Sequence, residues 1–482
     1  MLRTAPRLLR LRGSGRISTR HNSTLNSEIR AESKPRAPKP LPVSPSTAYT
    51  TVTHPIPAPN QSARTRDVLA LGEQYILPVY ARPPIVLERG EGSWVWDYDG
   101  RKYLDFTAGI AVNALGHADE GVAEVLHAQA SKLLHASNAY FNEHAASLAA
   151  LLVTLTQREG GLGYPTGAVH PSPAPGAKVF FANSGTEANE GALKIARKAG
   201  KERGGASKTA IVCFEQSFHG RSFGALSVTA NAKYQDPFVP LVPGVRVGKL
   251  NAYEGLEELI KEDTCAVIME PIQGEGGINA AEVDWVRAMV KRAREVGAVV
   301  IFDEIQCGLY RTGTLWAHSP WPIECHPDVV TMAKPLANGY PIGAVLMRDA
   351  VAETMTAGTH GTTFGGSPLA CAVGHHVLTR LSDRAFVAHL METSAYLVGR
   401  LERLAGWFPE VAGPAVRGRG LIVGLVLKRE GDPGRLVELA RERGVLLLSA
   451  GKDCVRLVPS LNVGREEVAR AVDVIESCLA LL

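Results

Sequence analysis

A lysine and an aspartate each stand close behind an apolar run of the sequence. Asp303 directly follows residues 298–302, and Lys334 lies two positions after residues 329–332. Such runs predict buried strands, and ligands of open α/β sheets bind beyond the carboxyl ends of the strands. An amine and a carboxylate that meet there can share nucleophilic and acid/base chemistry. The alternative, a buried salt bridge, is disfavoured because desolvation of both charges often cancels their attraction.

A candidate phosphate site follows another apolar run, residues 178–182. Ser184 and Glu187 form the S-x-x-E pattern of a helix N-terminus, where backbone N–H groups have no partner within the helix. Gly185 allows a ligand to approach closely and the Thr186 hydroxyl adds a donor, which together favour a phosphate dianion. The alternative is a well-capped core helix without a ligand.

A third group of candidates follows residues 210–214. Phe218 can stack on an aromatic ring, and Arg221 can hold a carboxylate with two parallel hydrogen bonds. Pyridoxal phosphate requires an amine for a Schiff base, a carboxylate for its pyridinium nitrogen and a cradle for its phosphate. Lys334, Asp303 and the predicted helix start supply all three, so the sequence predicts pyridoxal 5'-phosphate as the cofactor.

The elements that would position these residues alternate between apolar strands and amphipathic helices. Strands are predicted at residues 178–182, 210–214, 265–269, 298–302, 329–332 and 343–347, and helices around residues 122–133 and 283–293. This alternation is typical of an α/β fold whose mostly parallel sheet is sandwiched by helices.

A smaller α+β lobe is predicted from the C-terminal part of the chain. It would consist of a long helix from about residue 369, strands at 421–427, 445–449 and 454–458, and a helix at 465–482. Residues 160–176 are rich in Gly and Pro and predict an exposed loop.

The composition excludes several classes of protein. Of the 482 residues, 45% are hydrophobic and 21% are charged, which argues against disorder, collagen and a coiled coil. The seven cysteines form no C-x-x-C pair and have no histidine at zinc-finger spacing, so we predict free thiols and no metal site. No apolar run approaches the roughly 20 residues that span a bilayer, so no membrane partner is expected.

The basic charge of the chain is concentrated in its first 39 residues. They hold ten of the 52 Lys and Arg but two of the 48 Asp and Glu, which leaves the remainder with a net charge of about −4. Arg3, Arg7 and Arg10 recur at helical spacing beside leucines, and no acid precedes Glu28, as in a mitochondrial transit peptide. Plain disorder or a nucleic-acid-binding arm are the alternatives, but an arm would need a basic body behind it, so no nucleic-acid partner is expected.

Three further stretches complete a family resemblance. Residues 109–117 (GIAVNALGH), 270–277 (EPIQGEGG) and 361–366 (GTTFGG), with the segments above, resemble the class III aminotransferases. These are fold type I pyridoxal-phosphate enzymes, with the aspartate-aminotransferase-like fold, that act on ω-amino groups. The resemblance begins near Tyr75, and the small lobe would then include the N-terminal segment. We predict a tail at 1–45, a linker and N-terminal segment at 46–115, a large cofactor-binding domain at 116–368 and a small domain at 369–482.

The resemblance implies a cofactor role for particular residues of this chain. Lys334 would carry pyridoxal phosphate as a Schiff base, Asp303 would keep the ring nitrogen protonated and Phe218 would stack on the ring. The full set implied to bind the cofactor is Ser184, Gly185, Thr186, Phe218, Asp303, Gln306, Lys334 and Thr363.

Substrate binding is implied for Arg221, Thr362, Glu275 and Arg456. Arg221 would bind the α-carboxylate of acetylornithine and Arg456 that of 2-oxoglutarate, while Glu275 would mask Arg456 when the amino donor is bound. Thr363 would reach the phosphate of the neighbouring subunit, so that a homodimer shares its active sites.

The implied reaction is transamination of N2-acetyl-L-ornithine with 2-oxoglutarate. It gives N-acetyl-L-glutamate 5-semialdehyde and L-glutamate in arginine biosynthesis, and the N-terminal pattern places it in the mitochondrial matrix. Ornithine δ-aminotransferase and 4-aminobutyrate aminotransferase use the same core and stay open as alternatives.

Two other classes of function are disfavoured. A dinucleotide-binding oxidoreductase is suggested by Gly418, Gly420 and Gly424, but their spacing does not match the required fingerprint. A non-catalytic relative would be expected to have lost Lys334 or Asp303, and both are present.

Two residues depart from the usual family pattern. Ser367 stands where asparagine is usual, and Asn338 stands where a small residue is common. Neither residue has an assigned catalytic role, so local loop geometry is what these departures put in question.

Overall fold

The computed structural model describes residues 49–167 and 176–482. The predicted transit peptide and tail, residues 1–45, and residues 168–175 of the predicted loop lie outside these ranges. Among the described helices, none is both long enough and apolar enough to cross a bilayer.

The chain forms seventeen strands and fourteen helices in its described part. The strands are β1 (Leu87–Glu91), β2 (Trp94–Asp97), β3 (Lys102–Asp105), β4 (Ala177–Ala182), β5 (Ala210–Phe214), β6 (Val245–Gly248), β7 (Thr264–Met269), β8 (Ile272–Gln273), β9 (Asn279–Ala280), β10 (Val299–Asp303), β11 (Val329–Met332), β12 (Gly343–Arg348), β13 (Ala412–Arg419), β14 (Ile422–Leu427), β15 (Val445–Leu446), β16 (Leu448–Ala450) and β17 (Cys454–Leu457). The helices are α1 (Ala63–Tyr75), α2 (Ala108–Ala111), α3 (Glu120–Ala130), α4 (Glu143–Glu159), α5 (Gly185–Gly204), α6 (Phe223–Ser227), α7 (Ala232–Gln235), α8 (Leu256–Leu259), α9 (Val283–Glu295), α10 (Asp349–Ala352), α11 (Pro368–Leu381), α12 (Arg384–Trp407), α13 (Asp432–Arg441) and α14 (Arg465–Leu479).

Seven strands form the central sheet, in the order β4-β12-β11-β10-β7-β5-β6. Strand β12 is antiparallel to both of its neighbours, and the other pairs are parallel. The connection from β11 to β12 contains only a short 3₁₀ turn, Lys334–Ala337, whereas parallel neighbours need a longer crossover. The mostly parallel α/β sheet is therefore confirmed, but the sequence did not predict β6 or the reversed direction of β12.

Helices cover both faces of this sheet because side chains alternate along its buried strands. On one face, Ile211 and Cys213 of β5 pack in a cluster with the alanine-rich side of α5. On the other face, Val212 and Phe214 pack in a cluster with Trp285 and its neighbours on α9. Because β4, β5, β7, β10 and β11 run in the same direction, the loops that follow them lie at one edge of the sheet.

The smaller lobe combines N-terminal and C-terminal segments in two four-stranded sheets, β1-β2-β3-β15 and β13-β14-β17-β16. The predicted single strand 445–449 was wrong: β15 pairs with β3, whereas β16 pairs with β17. One apolar run thus serves two sheets, which its hydrophobicity alone cannot reveal. Gly418 lies near the end of β13 and Gly420 in the turn to the antiparallel β14, which is not the strand-to-helix turn of a dinucleotide site. The division into four regions stays a prediction.

Candidate active site

One cavity of about 290 Å³ lies at the carboxyl ends of the central strands. Its lining residues are Ser184, Gly185, Thr186, Phe218, His219, Gly220, Arg221, Glu270, Asp303, Ile305, Gln306, Ala333 and Lys334. The loops after β4, β5, β10 and β11 thus bring together eight of the residues singled out from the sequence. A second cavity of about 730 Å³ shares Phe218 with the first and is also lined by Glu275.

Lys334 begins the 3₁₀ turn that follows β11. Burial lowers the pKa of its amine to about 8, and the positive charge of Arg456 acts in the same direction. The carboxylates of Glu275, Glu270 and Asp303 oppose this shift. Near neutral pH a larger fraction of this amine is unprotonated than of an ordinary lysine, as a nucleophile requires.

Asp303 ends β10 and is held by a buried hydrogen-bond network. Its side chain is 3% exposed, and its Oδ2 accepts hydrogen bonds from Nδ2 of Asn189 at 2.8 Å and from Nδ1 of His219 at 2.7 Å. The backbone N–H of Ile305 donates to Oδ1 at 3.0 Å. Donors on both oxygens hold the carboxylate in a fixed orientation.

Asn189, which had no predicted role, orients the carboxylate of Asp303. Its Nδ2 also donates to the carbonyl of His219 at 2.7 Å, and its Oδ1 accepts from the Thr331 hydroxyl at 2.8 Å. Asn189 is fully buried on the apolar side of α5, next to Ala188. A polar residue at a core position of an amphipathic helix was the signal that could have identified it.

The N-terminus of α5 forms a narrow cradle beside the cavity. The Ser184 side chain accepts from the backbone N–H of Glu187 at 3.3 Å, which caps the helix. The hydroxyls of Thr186 and Ser222 lie 2.9 Å apart. A Cβ at Gly220, whose φ is 137°, would lie 2.2 Å from Oγ1 of Thr186. Only glycine allows this approach, so the loop after β5 closes tightly on a helix terminus suited to an anion.

Glu270, the first residue of the EPIQGEGG stretch, had no predicted role but links two loops at the cavity. Its carboxylate accepts from the backbone N–H of Phe218 at 2.9 Å and of Gly274 at 3.1 Å. Burial raises the pKa of Glu270 to about 7. The two hydrogen bonds connect the loop that presents Phe218 to the loop that carries Glu275.

A buried arginine and a partly exposed glutamate form an ion pair at the boundary of the two cavities. Nη1 of Arg456 lies 2.8 Å from Oε1 of Glu275 and donates to Oε1 of Gln306 at 2.9 Å. Arg456 is 2% exposed, so an unpaired guanidinium there would carry a large desolvation penalty. Glu275 neutralises Arg456 in this arrangement.

Thr362 and Thr363 do not line the cavity of their own chain. The Thr362 hydroxyl accepts from Nδ2 of Asn183 at 3.0 Å, and Thr363 is exposed. Their predicted roles involve the neighbouring subunit, so these roles stay predictions.

The cavity provides groups of the kind that pyridoxal phosphate needs. Lys334 offers an amine of lowered pKa, Asp303 offers a buried carboxylate, and the α5 terminus offers an anion cradle. The profile of the family described as Aminotransferase class-III matches residues 76–479. The chain belongs to this family. The predicted fold and family are confirmed, and the protein is a pyridoxal-phosphate-dependent transaminase.

Individual relatives of this family match most of the chain. A protein of Neurospora crassa named "Acetylornithine aminotransferase, mitochondrial" is 45% identical over 426 residues, or 88% of this chain and 89% of the relative. A protein of Debaryomyces hansenii with the same name is 42% identical and covers 99% of this chain and 97% of its own length.

Solved structures of the family share the fold. The N-acetylornithine aminotransferase of Stenotrophomonas maltophilia K279a has a TM-score of 0.69 and 35% identity, with 86% of this chain and 98% of that chain covered. The ornithine aminotransferase of Toxoplasma gondii ME49 has a TM-score of 0.77 and 31% identity, with coverage of 88% and 96%. Fold similarity therefore does not separate the two substrates within the family.

Proposed function

We propose that this chain transfers the δ-amino group of N2-acetyl-L-ornithine to 2-oxoglutarate, giving N-acetyl-L-glutamate 5-semialdehyde and L-glutamate in arginine biosynthesis. The observation that carries the proposal is a pair of arginines in a chain 45% identical to a relative named for this activity. Arg221 lines the cavity, and Arg456, which is paired with Glu275, donates to the lining residue Gln306. The word "mitochondrial" in the names of relatives and the basic N-terminal pattern support a location in the mitochondrial matrix.

Each cofactor contact would come from a separate loop of the sheet edge. Lys334 would hold pyridoxal phosphate through its amine, Phe218 would pack on the ring, and Gln306 would lie near the phenolic oxygen. Ser184, Gly185 and Thr186 would bind the phosphate, because backbone N–H groups at a helix start favour an anion. Within the family, bound pyridoxal phosphate supplies an electron sink for the pair left when a carbon next to the amine loses its proton.

Proton transfer would depend on Lys334 and Asp303. Nζ of Lys334 would take the proton from the δ-carbon of the substrate and deliver it to the acceptor carbon nearby. Once the substrate has displaced it, an amine of lowered pKa can act first as a base and then as an acid. Asp303, oriented by Asn189 and His219, would keep a proton on the ring nitrogen.

Two acids of different length would be handled by two arginines. Arg221 would bind the α-carboxylate of acetylornithine while Glu275 neutralises Arg456. When 2-oxoglutarate enters, Glu275 would turn away and Arg456 would bind the α-carboxylate of that acid. Arg456, which is paired with Glu275, and Arg221, which has no ion-pair partner among the described residues, would thus allow one site to accept both substrates.

A homodimer with shared active sites is part of the proposal. Phe141 is fully exposed, Tyr140 is 77% exposed, and Phe364, beside Thr363, is 63% exposed. Apolar surface of this kind marks protein interfaces. Thr363 of one protomer would reach the phosphate site of its partner, and Thr362 would contact the substrate there.

The substrate assignment is tested by the kinetics of the purified enzyme. The value of kcat/KM is measured with 2-oxoglutarate and acetylornithine, ornithine or 4-aminobutyrate as the amino donor. We expect acetylornithine to give the highest value. A higher value for unacetylated ornithine or for 4-aminobutyrate would overturn the assignment and favour an alternative enzyme of the same family.

A further inference from the structure

The guanidinium of Arg221 lies over the ring of Tyr234, a residue with no role in the function proposed above. Cζ of Arg221 is 3.8 Å from the centroid of that ring. The same tyrosine meets Phe218 edge to face, with ring centroids 6.0 Å apart at an angle of 86°. Tyr234 therefore contacts the two side chains of the β5 loop that face both substrate and cofactor in the proposed function.

Tyr234 is held by a short anchored segment. It belongs to α7. Asn231 is the N-cap of that helix, and its side-chain oxygen accepts a hydrogen bond from the backbone N–H of Lys233 at 3.1 Å. The next residue, Gln235, donates from Nε2 to the carbonyl of Leu226 in α6 at 2.9 Å. These contacts restrict the position of the ring.

The main chain beside Arg221 is fixed from another direction. Oε1 of Glu190 accepts from the hydroxyl of Ser222 at 2.6 Å and from the backbone N–H of Gly224 at 2.8 Å. The backbone next to Arg221 is thus tied to α5. The exposed, long side chain lies closest to the ring of Tyr234, at 3.8 Å, and farther from that of Phe218, at 5.6 Å. A flexible arginine without such a contact would lose more conformational entropy when a carboxylate binds.

The two arginines of the site are oriented by groups that affect the charge of the guanidinium differently. Arg456 pairs with the Glu275 carboxylate, which neutralises it. Within residues 49–167 and 176–482, no carboxylate forms an ion pair with Arg221. An aromatic face orients a guanidinium by cation–π attraction and leaves its charge and its N–H edge available for a carboxylate.

We propose that Tyr234 is a positioning residue for the amino donor, which holds the guanidinium of Arg221 in the orientation that binds the donor's α-carboxylate. This inference rests on the proposed function, because it assumes that Arg221 binds the amino donor and that Arg456 binds 2-oxoglutarate. Tyr234 itself contacts neither reacting group in this scheme. Its effect should fall on the KM of one substrate.

The test compares Tyr234→Leu with Tyr234→Phe in the purified holoenzyme. Loss of the ring should raise KM for acetylornithine about two- to fivefold, the range expected for a cation–π contact at an exposed site. In the same variant, KM for 2-oxoglutarate should change less than about twofold. Tyr234→Phe keeps the ring and should therefore retain the low KM for acetylornithine. Tyr253→Leu, at an exposed tyrosine away from this cavity, controls for general effects and should leave both KM values unchanged.

A double-mutant cycle with Arg221→Ala separates this inference from the proposed function. If Arg221→Ala raises KM for acetylornithine selectively and Tyr234→Leu adds no further increase in that background, the positioning role is supported. If Arg221→Ala is selective but Tyr234→Leu alone has no effect, or affects both substrates equally, the positioning role is wrong and the two-arginine scheme stands. If Arg221→Ala itself is not selective, the two-arginine scheme and the inference fall together.

Discussion

The amine of Lys334 gains its reactivity from its surroundings. Burial at the end of β11 lowers its pKa to about 8, while three nearby carboxylates limit the shift. The sequence placed this lysine behind an apolar run, but the magnitude of the shift depends on Arg456, Glu270 and Glu275, which are distant in sequence.

Replacing Lys334 with alanine should abolish both turnover and the visible absorbance of the covalently held cofactor. We expect kcat to fall by at least about a thousandfold, because the variant lacks both the covalent attachment and the proton-transfer group. Lys178→Ala, at an exposed lysine of β4, is the matched control and should retain both signals. Persistence of the absorbance and of turnover in Lys334→Ala would refute the assignment.

Cofactor uptake by the apoenzyme should report the lowered pKa of Lys334. The neutral amine is the nucleophile, so the initial rate should rise with pH and level off above about pH 8, the value to which burial lowers this pKa. An ordinary lysine, with a pKa near 10.4, would still gain rate through pH 10. The rate is measured from the absorbance change after mixing, and N-acetyllysine in solution serves as the reference. A profile identical to that of the reference would contradict the prediction.

At the scale of elements, two departures from the family pattern have local explanations. Asn338 adopts a left-handed conformation with φ of 44°, which asparagine tolerates better than most residues. Its side chain accepts from the N–H of Leu115 at 2.8 Å and donates to the carbonyl of Gly116 at 3.0 Å. It thereby ties the turn after Lys334 to the GIAVNALGH segment.

Ser367 is the N-cap of α11. Its side chain accepts from the backbone N–H of Ala370 at 3.3 Å, and Pro368 occupies the first turn. Ser367→Ala should lower the free energy of unfolding by about 1 kcal/mol, whereas Ser367→Asn should preserve most of it, because both serine and asparagine cap helices well. Urea unfolding monitored by circular dichroism measures the difference. Equal destabilisation by both substitutions would show that the cap is not the source of the effect.

At the scale of the whole molecule, the exposed position of Thr363 bears on whether each active site is built by one chain or by two. In one chain it lies outside the cavity that Lys334 lines, beside exposed Phe364. A Thr363 that acts across a dimer would complete a site built mainly by the other protomer. In such a dimer, a defect at Lys334 in one chain and a defect at Thr363 in the other chain fall in the same site and leave the second site intact.

Coexpression of Lys334→Ala and Thr363→Ala chains tests this arrangement. In a mixed dimer, one site carries both defects and the other carries neither, so a random mixture should recover about a quarter of wild-type activity. The Lys334→Ala homodimer should be inactive, and the Thr363→Ala homodimer should bind the cofactor more weakly. Activity no higher than the average of the two homodimers would contradict sites shared in this way.

The sequence by itself determined the strand-end chemistry and most of the large sheet. Apolar runs located six of its seven strands to within one residue, because buried strands must be continuously hydrophobic. The same runs placed Asp303, Lys334 and the Ser184 cap at strand ends. These features depend on local pattern, and local pattern is visible in a sequence.

Only the tertiary structure decided how separate segments meet. The antiparallel direction of β12, the division of 445–449 between two sheets and the support of Asp303 by Asn189 all arise from contacts between residues distant in sequence. The stacking of Tyr234 on Arg221 is of the same kind. Hydrophobic periodicity specifies which face of an element is buried, but the partner on that face is selected by packing across the whole chain.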